Sequence, residues 1–315
     1  MLRRAAALCA LALAIAANAS AQSGSSGTST GQSTSAATPS SSAASAETRP
    51  ATTTFFGDTG LWYVPTAEVL AHGKWSVSGY RRGTNYVQGF TNVGDFAGTF
   101  GVGIGNRAEL FASFLFDTRV DRDLRPLFNA TDPRVGGIVD RYPRINSGWS
   151  GDNVGDLYVG AKINLLSEYQ QKPIALAIRP MVKLPTGKFD AGVSTGKADF
   201  LVDFIASKEA ARIVDLSGYA GYEFRGQPDN YDAPSGAFRW GGGAAFPSRS
   251  PLRGVLELNG VVPSQDTITF TGAQTAAVTG FDLTQPPLVS NVEKLTRATA
   301  GVTVASALLV DYVLT

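Results

Sequence analysis

Beyond Cys9 the chain contains no cysteine, and His72 is its single histidine. The first lack rules out disulfides and thiolate chemistry in everything after the N-terminal segment, and it suits a protein that crosses an oxidising compartment. The second leaves no His/Cys ligand set for a transition metal and one imidazole to serve as a general base. His72 sits in a turn-like Leu70-Ala71-His72-Gly73, and no Gly-x-Ser-x-Gly elbow accompanies it, so catalytic residues are not expected and the chain reads as no enzyme. Past the first twenty-odd residues there is no apolar run of the roughly 18 positions that a membrane-spanning helix needs. A dominant charge is missing too. Lys and Arg number 27 against 26 Asp and Glu, a formal net charge of +1. That balance argues against nucleic acid as a partner, which calls for a clustered basic surface.

What is present begins with an export signal. Arg3 and Arg4 supply a positive start, Ala5 to Ala17 an apolar core too short to span a bilayer, and Ala19-Ser20-Ala21 a small-residue cleavage pattern before Gln22. Residues 1–21 are thus expected to be a Sec-type signal peptide. Leu8 precedes Cys9 where a lipoprotein needs a small residue, so lipidation is not expected. Residues 22–54 hold 18 Ser or Thr in 33 positions. Such a segment buries too little apolar surface to offset its ordering entropy, and it reads as a disordered linker.

From about residue 73 the pattern has period two. In 154–165, Leu157, Val159, Ala161, Ile163 and Leu165 share one face, and Asp156, Tyr158, Gly160, Lys162 and Asn164 the other. The same alternation runs through 173–184 and 213–224. It predicts strands with one apolar and one polar face. Ten candidates follow: 73–82, 94–104, 107–116, 154–165, 173–184, 197–207, 212–224, 236–246, 251–262 and about 294–304. At roughly 10 to 12 residues they match a tilted membrane-crossing strand better than the shorter strands of soluble sheets. Aromatic residues mark the strand ends: Trp75, Phe96, Phe116, Tyr222, Phe224, Phe238, Trp240 and Phe246. Connections alternate between short turns, such as Gly105-Asn106 and 247–250, and the long stretches 117–153, 185–196, 225–235 and 263–293.

The fold class expected is therefore all-β: an up-and-down antiparallel transmembrane β-barrel of about 10–12 strands over 55–315, with 55–72 packed in or under the mouth on the short-turn side. Residues 305–315 read as a strand whose partner is missing, so that either 57–70 supplies a further strand or the last strand is incomplete. Its place is the bacterial outer membrane. Its expected partners are the lipid bilayer and the barrel-assembly machinery, with a small-molecule solute if the lumen is open, and it is expected to be a monomer. If the apolar faces look outward, the lumen-lining candidates are Lys162, Arg179, Lys183, Arg239 and Arg253 with Asp156, Asp199, Asp203, Asp215, Glu223 and Glu257. Five positive and six negative charges nearly cancel, unlike the single-sign rings of a strongly ion-selective pore. Near-balance fits a salt-bridge network that either braces a plugged barrel or lines a polar path.

One stretch carries a resemblance. Gly155, Asp156, Gly160 and Lys162, then Lys183 to Gly187, then Ser194, Thr195, Gly196 and Asp199 form a GD-x-x-x-G-x-K, KLPTG, STG-x-x-D series. This resembles the family of outer-membrane transporters associated with phenol meta-cleavage pathways. The resemblance implies a barrel that admits small hydrophobic or aromatic solutes as a passive channel. The alternative is a structural or adhesive barrel with a plugged lumen.

Other motifs are weaker. Asp117, Asp121 and Asp123 open a loop rich in acceptors, but no EF-hand spacing is present, and the interleaved Arg119, Arg122 and Arg125 make a solvated charge mixture. Gly101, Gly103 and Gly105 lie inside a strand, where they leave room for neighbours. Pro185-Thr186-Gly187-Lys188 lacks the upstream Gly and following Ser/Thr of a nucleotide loop. No cofactor and no metal are expected.

Overall fold

A computed structural model describes residues 49–122, 138–144, 151–271, 288–304 and 313–314. The signal-peptide segment, most of the 22–54 linker, Asp123 and most of 305–315 lie outside them. Ten long strands follow one another: β1 (Trp75–Tyr86), β2 (Thr91–Ile104), β3 (Ala108–Arg122), β4 (Leu157–Leu166), β5 (Ala175–Leu184), β6 (Asp199–Ala210), β7 (Val214–Arg225), β8 (Gly236–Phe246), β9 (Leu252–Pro263) and β10 (Leu295–Val304). Each pairs antiparallel with the next in chain order, which is an up-and-down barrel wall. Among the described residues no backbone ladder joins β10 to β1. The two edges nevertheless meet, because Arg297 of β10 donates to Gly83 O at 3.3 Å and Thr84 Oγ1 at 2.7 Å of β1.

The alternation seen in the sequence is the alternation of this wall. In β5 the side chains of Ala175, Ala177, Arg179, Met181 and Lys183 are buried inward, while Val182 and Leu184 are exposed. Every strand contributes to the outer apolar surface: Val77, Phe100, Leu110, Val159, Val182, Phe204, Leu216, Phe238, Leu256 and Val302 are all exposed. Aromatic residues cap this belt at both ends. Trp75 and Phe246 stand near the short-turn end; Phe116, Phe200, Phe224 and Phe238 stand near the other.

The strands on one side run longer than the sequence pattern suggested. β1 continues to Tyr86, and β3 continues to Arg122, so Asp117 and Asp121 belong to a strand rather than to the start of a loop. The cause is the pairing available there: Thr91–Phe96 of β2 pairs with the extension, and Gly151–Asn153 pairs with Thr118–Val120. Asp117 pairs with Arg119 at 2.9 Å. A separate three-stranded sheet, Tyr231–Asp232, Thr267–Phe270 and Leu288–Asn291, forms on the long-connection side, with Ile138 and Ile268 in its core. Val313–Leu314 pairs with Arg49–Pro50.

Residues 51–71 occupy the interior as a plug. Phe55, Leu61, Val64, Ala67 and Leu70 are buried there. The ordered segment begins before residue 55: Thr53 Oγ1 lies 2.7 Å from Ser78 Oγ, and Thr54 is fully buried. The wall is thinned to admit it. A Cβ on Gly103 would come within 2.2 Å of the Leu70 and Ala71 carbonyl oxygens, and one on Gly101 within 2.7 Å of Gly57 O. The glycine run in β2 is therefore the face on which plug backbone lies.

Candidate functional site

The plug has no regular ladder to satisfy its own backbone, so its polar groups must find partners on the wall. They do. Glu257 of β9 accepts the amides of Trp62, Tyr63 and Val64 at 3.0, 3.0 and 2.8 Å. Glu109 of β3 accepts Thr59 N at 2.9 Å and Thr59 Oγ1 at 2.7 Å. Ser113 donates to Phe55 O, Asn164 to Ala67 O and Ser217 to Pro65 O, while Ser207 Oγ accepts Ala67 N at 3.0 Å. At its far end Glu68 accepts Ser167 Oγ and Glu168 N from the turn between β4 and β5.

Asp58 carries a plug charge into the middle of the barrel. It receives Arg179 Nη1 at 2.9 Å and lies 3.4 Å from Lys162 Nζ. Burial alone would raise its carboxyl, but Arg179 and Lys162 outweigh that and hold its pKa below the ordinary value. Arg179 also donates twice to Asp203 Oδ2, at 3.1 and 2.6 Å, directly across the β5–β6 ladder. Lys162 completes the cluster with Glu109 at 3.3 Å. All five side chains are fully enclosed. The interior is not only polar: Phe111, Met181 and Leu201 pack with Phe56 of the plug.

Toward the long-connection end the three motif elements converge. Asp156 accepts Gly187 N at 3.0 Å and Ser194 Oγ at 2.8 Å. Lys183 Nζ reaches Asp199 at 2.6 Å, Asp156 at 3.6 Å and Thr195 Oγ1 at 2.9 Å. Thr186 Oγ1 donates to Gly155 O. The Pro185–Lys188 turn thus organises a strand end. Beside it Glu223 takes Arg141 at 2.7 Å and Arg225 at 3.4 Å. Arg82 forks onto Asp95, which also accepts Tyr142 OH at 3.2 Å. Burial first, and Asp95 second, push the Tyr142 phenol well above its ordinary pKa, so it stays a donor.

All eleven expected interior residues are buried and face inward. Eight of them divide between two places: Arg179, Asp203, Lys162 and Glu257 lie around the plug, whereas Asp156, Lys183, Asp199 and Glu223 build the long-connection end; Arg239 lies between. Arg253 and Asp215 pair at 3.3 Å, and Arg253 also donates to Thr52 Oγ1. Sequence reasoning missed Asp58, Arg82, Asp95, Glu109, Arg141 and Arg297. Glu109 shares its inward face with Phe111, which hid it from a polar-face rule. Asp58 lies where no periodicity exists.

Between plug and long-connection end lies a cavity of about 400 Å³. It touches both edge strands, along Gly83–Tyr86 of β1 and Leu295–Ala298 of β10, and Phe56, Tyr63, Tyr158 and Tyr219 are among the residues that line it. This is the size of small-molecule pockets. Among the described residues no group of His, Cys, Asp and Glu is arranged to hold a metal ion.

A family model described as putative MetA-pathway of phenol degradation matches residues 76–248, more than half of the chain. No curated protein matches the chain.

Proposed function

Because the chain belongs to this phenol-degradation family, we propose that it is an outer-membrane barrel that passes small hydrophobic or aromatic solutes, with the 51–71 plug as its closure. The belt of exposed Val, Leu, Ile and Phe on all ten strands supports the membrane placement, since a monomer in water rarely exposes so large a continuous apolar surface. Strands of 10–15 residues and aromatic ends fit the same placement. The bilayer and the barrel-assembly machinery are then its partners, and one chain forms the barrel without catalytic residues.

The observation that carries transport is the aromatic-walled cavity beside the plug. A barrel that served only as a scaffold has no need of a vacant volume of solute size next to the element that blocks it. A second reading has its own support: the plug is bound to the wall by buried charges and hydrogen bonds along most of its length, as a permanent stopper would be.

The two readings separate on one experiment. Ala67 N lies 3.0 Å from Ser207 Oγ, and Cys9 aside the chain has no other thiol. An Ala67→Cys/Ser207→Cys variant, refolded into liposomes, can tie plug to wall by a disulfide. Transport predicts uptake of phenol-sized solutes that falls on oxidation and returns on reduction. Uptake that is absent in every state, or indifferent to the bond, favours the permanent stopper.

A further inference from the structure

The cavity is charged as well as aromatic, and among the residues that line it arginines outnumber carboxylates. The described residues lining it include Arg82, Arg141, Arg239 and Arg297 against Asp95 and Glu223. Arg82 and Arg141 are taken up by those two carboxylates. Arg297 meets no carboxylate among the described residues; it donates to Gly83 O and Thr84 Oγ1 and lies 5.0 Å above the Tyr63 ring. Arg239 is more than nine-tenths buried, and its Nη1 has no hydrogen-bond partner. That nitrogen stands 3.5 Å from Asp203 Oδ2, which already accepts two bonds from Arg179. Asn259 Nδ2, also on the cavity wall, is a second buried donor without an acceptor.

Buried donors left open are costly unless something arrives to accept from them. The carboxylate nearest Arg239 is Asp203, whose Oδ2 is engaged by Arg179 and whose Oδ1 has no hydrogen-bond partner, while Arg297 has no carboxylate among the described residues. What the wall offers besides donors is flat aromatic surface: Arg239 lies 5.3 Å from the Phe56 ring and 5.9 Å from that of Tyr219.

We propose that this cavity is a binding site for a small single-ring aromatic carboxylate, its carboxylate held by Arg239, Arg297 and Asn259 and its ring set among Tyr63, Phe56 and Tyr219. The proposal rests on the conduit reading for how the ligand reaches the cavity, but it names an ionised ligand where neutral phenols would satisfy that reading equally. A carboxylate supplies the planar pair of acceptors that guanidinium groups match. A neutral phenol supplies one weak acceptor and leaves Arg297 without a counter-charge.

The test is calorimetric titration of the refolded full chain in detergent at neutral pH with benzoate, phenol, cyclohexanecarboxylate and acetate. Benzoate is expected to bind best, with phenol and acetate each weaker by roughly tenfold or more, the loss of one charge-assisted contact or of the aromatic packing. Arg297→Gln, which breaks no ion pair, is expected to weaken benzoate by roughly tenfold while leaving phenol unchanged, and Arg297→Lys to recover part of it. Heat-modified gel mobility confirms that each variant is folded. Phenol binding as tightly as benzoate, acetate doing so, or benzoate indifferent to Arg297→Gln overturns the assignment. Liposome uptake of phenol without benzoate binding sinks this site and spares the conduit; benzoate binding without any uptake does the reverse.

Discussion

The two halves of the barrel interior are built from similar residues and end in different states. Around the plug the interior carboxylates have fixed partners: Asp58 has Arg179, Glu109 has Lys162, and Glu257 has three backbone amides. Beside the seam between β1 and β10, the Arg239 guanidinium and the Asn259 amide each keep an unpaired nitrogen around a cavity, and Arg297 meets no carboxylate among the described residues. The lesson is that a near-balanced charge count says little about a lumen. What matters is whether the counter-charges were delivered by the wall, by the plug's backbone, or by nothing on the chain.

The comparison can be broken most violently at Arg179. Arg179→Met removes the guanidinium that Asp58 and Asp203 share in a dry interior, and about 3–5 kcal/mol of stability should be lost, read as a fall in the urea or heat midpoint of the refolded barrel. A loss below about 1 kcal/mol would mean that water already reaches the cluster. Glu257→Met comes next. It removes the acceptor of three plug amides, each worth about 1–3 kcal/mol if left unsatisfied, unless the plug leaves the barrel instead. Either outcome should make 51–71 cleavable by a protease that spares the parent.

Two glycines sharpen the contrast between plug-bearing and open wall. Gly103→Ala drives a Cβ into the Leu70 and Ala71 carbonyls and should cost about 1–3 kcal/mol or loosen the plug's end. At Gly79 in β1 an added Cβ would meet nothing within 4 Å, and Gly79→Ala should stay within about 0.5 kcal/mol of the parent. Equal effects at both would show that the plug does not lie on β2. Smallest of all is Arg119→Ala, which removes a solvent-exposed pair with Asp117 and should change stability by less than about 1 kcal/mol.

Much of this architecture is written in period two. Lys162 between Ala161 and Ile163, and Arg179 between Ile178 and Pro180, announce an inward polar face before any partner is known, and both side chains are fully buried. The short Gly105-Asn106 turn and the long stretch after β3 likewise declare which end is which. Three things are not legible there. Strand ends near Tyr86 and Arg122 depend on pairing with distant backbone, which alternation alone does not encode. Plug contacts such as Asp58 to Arg179 join residues 121 apart in an aperiodic segment. That Arg297 meets no carboxylate among the described residues is decided by where the carboxylates of other strands fall, and no local pattern records an absence of that kind.

Everything depends on which side of the sheet meets lipid. A fluorescent label at Leu256→Cys, in protein reconstituted with acyl-chain-brominated phospholipid, measures this directly, because Leu256 is exposed while Glu257 beside it grips the plug. Strong quenching by the brominated chains is the expected result. An unquenched label in contact with water, on a protein that stays folded without detergent or bilayer, would contradict it.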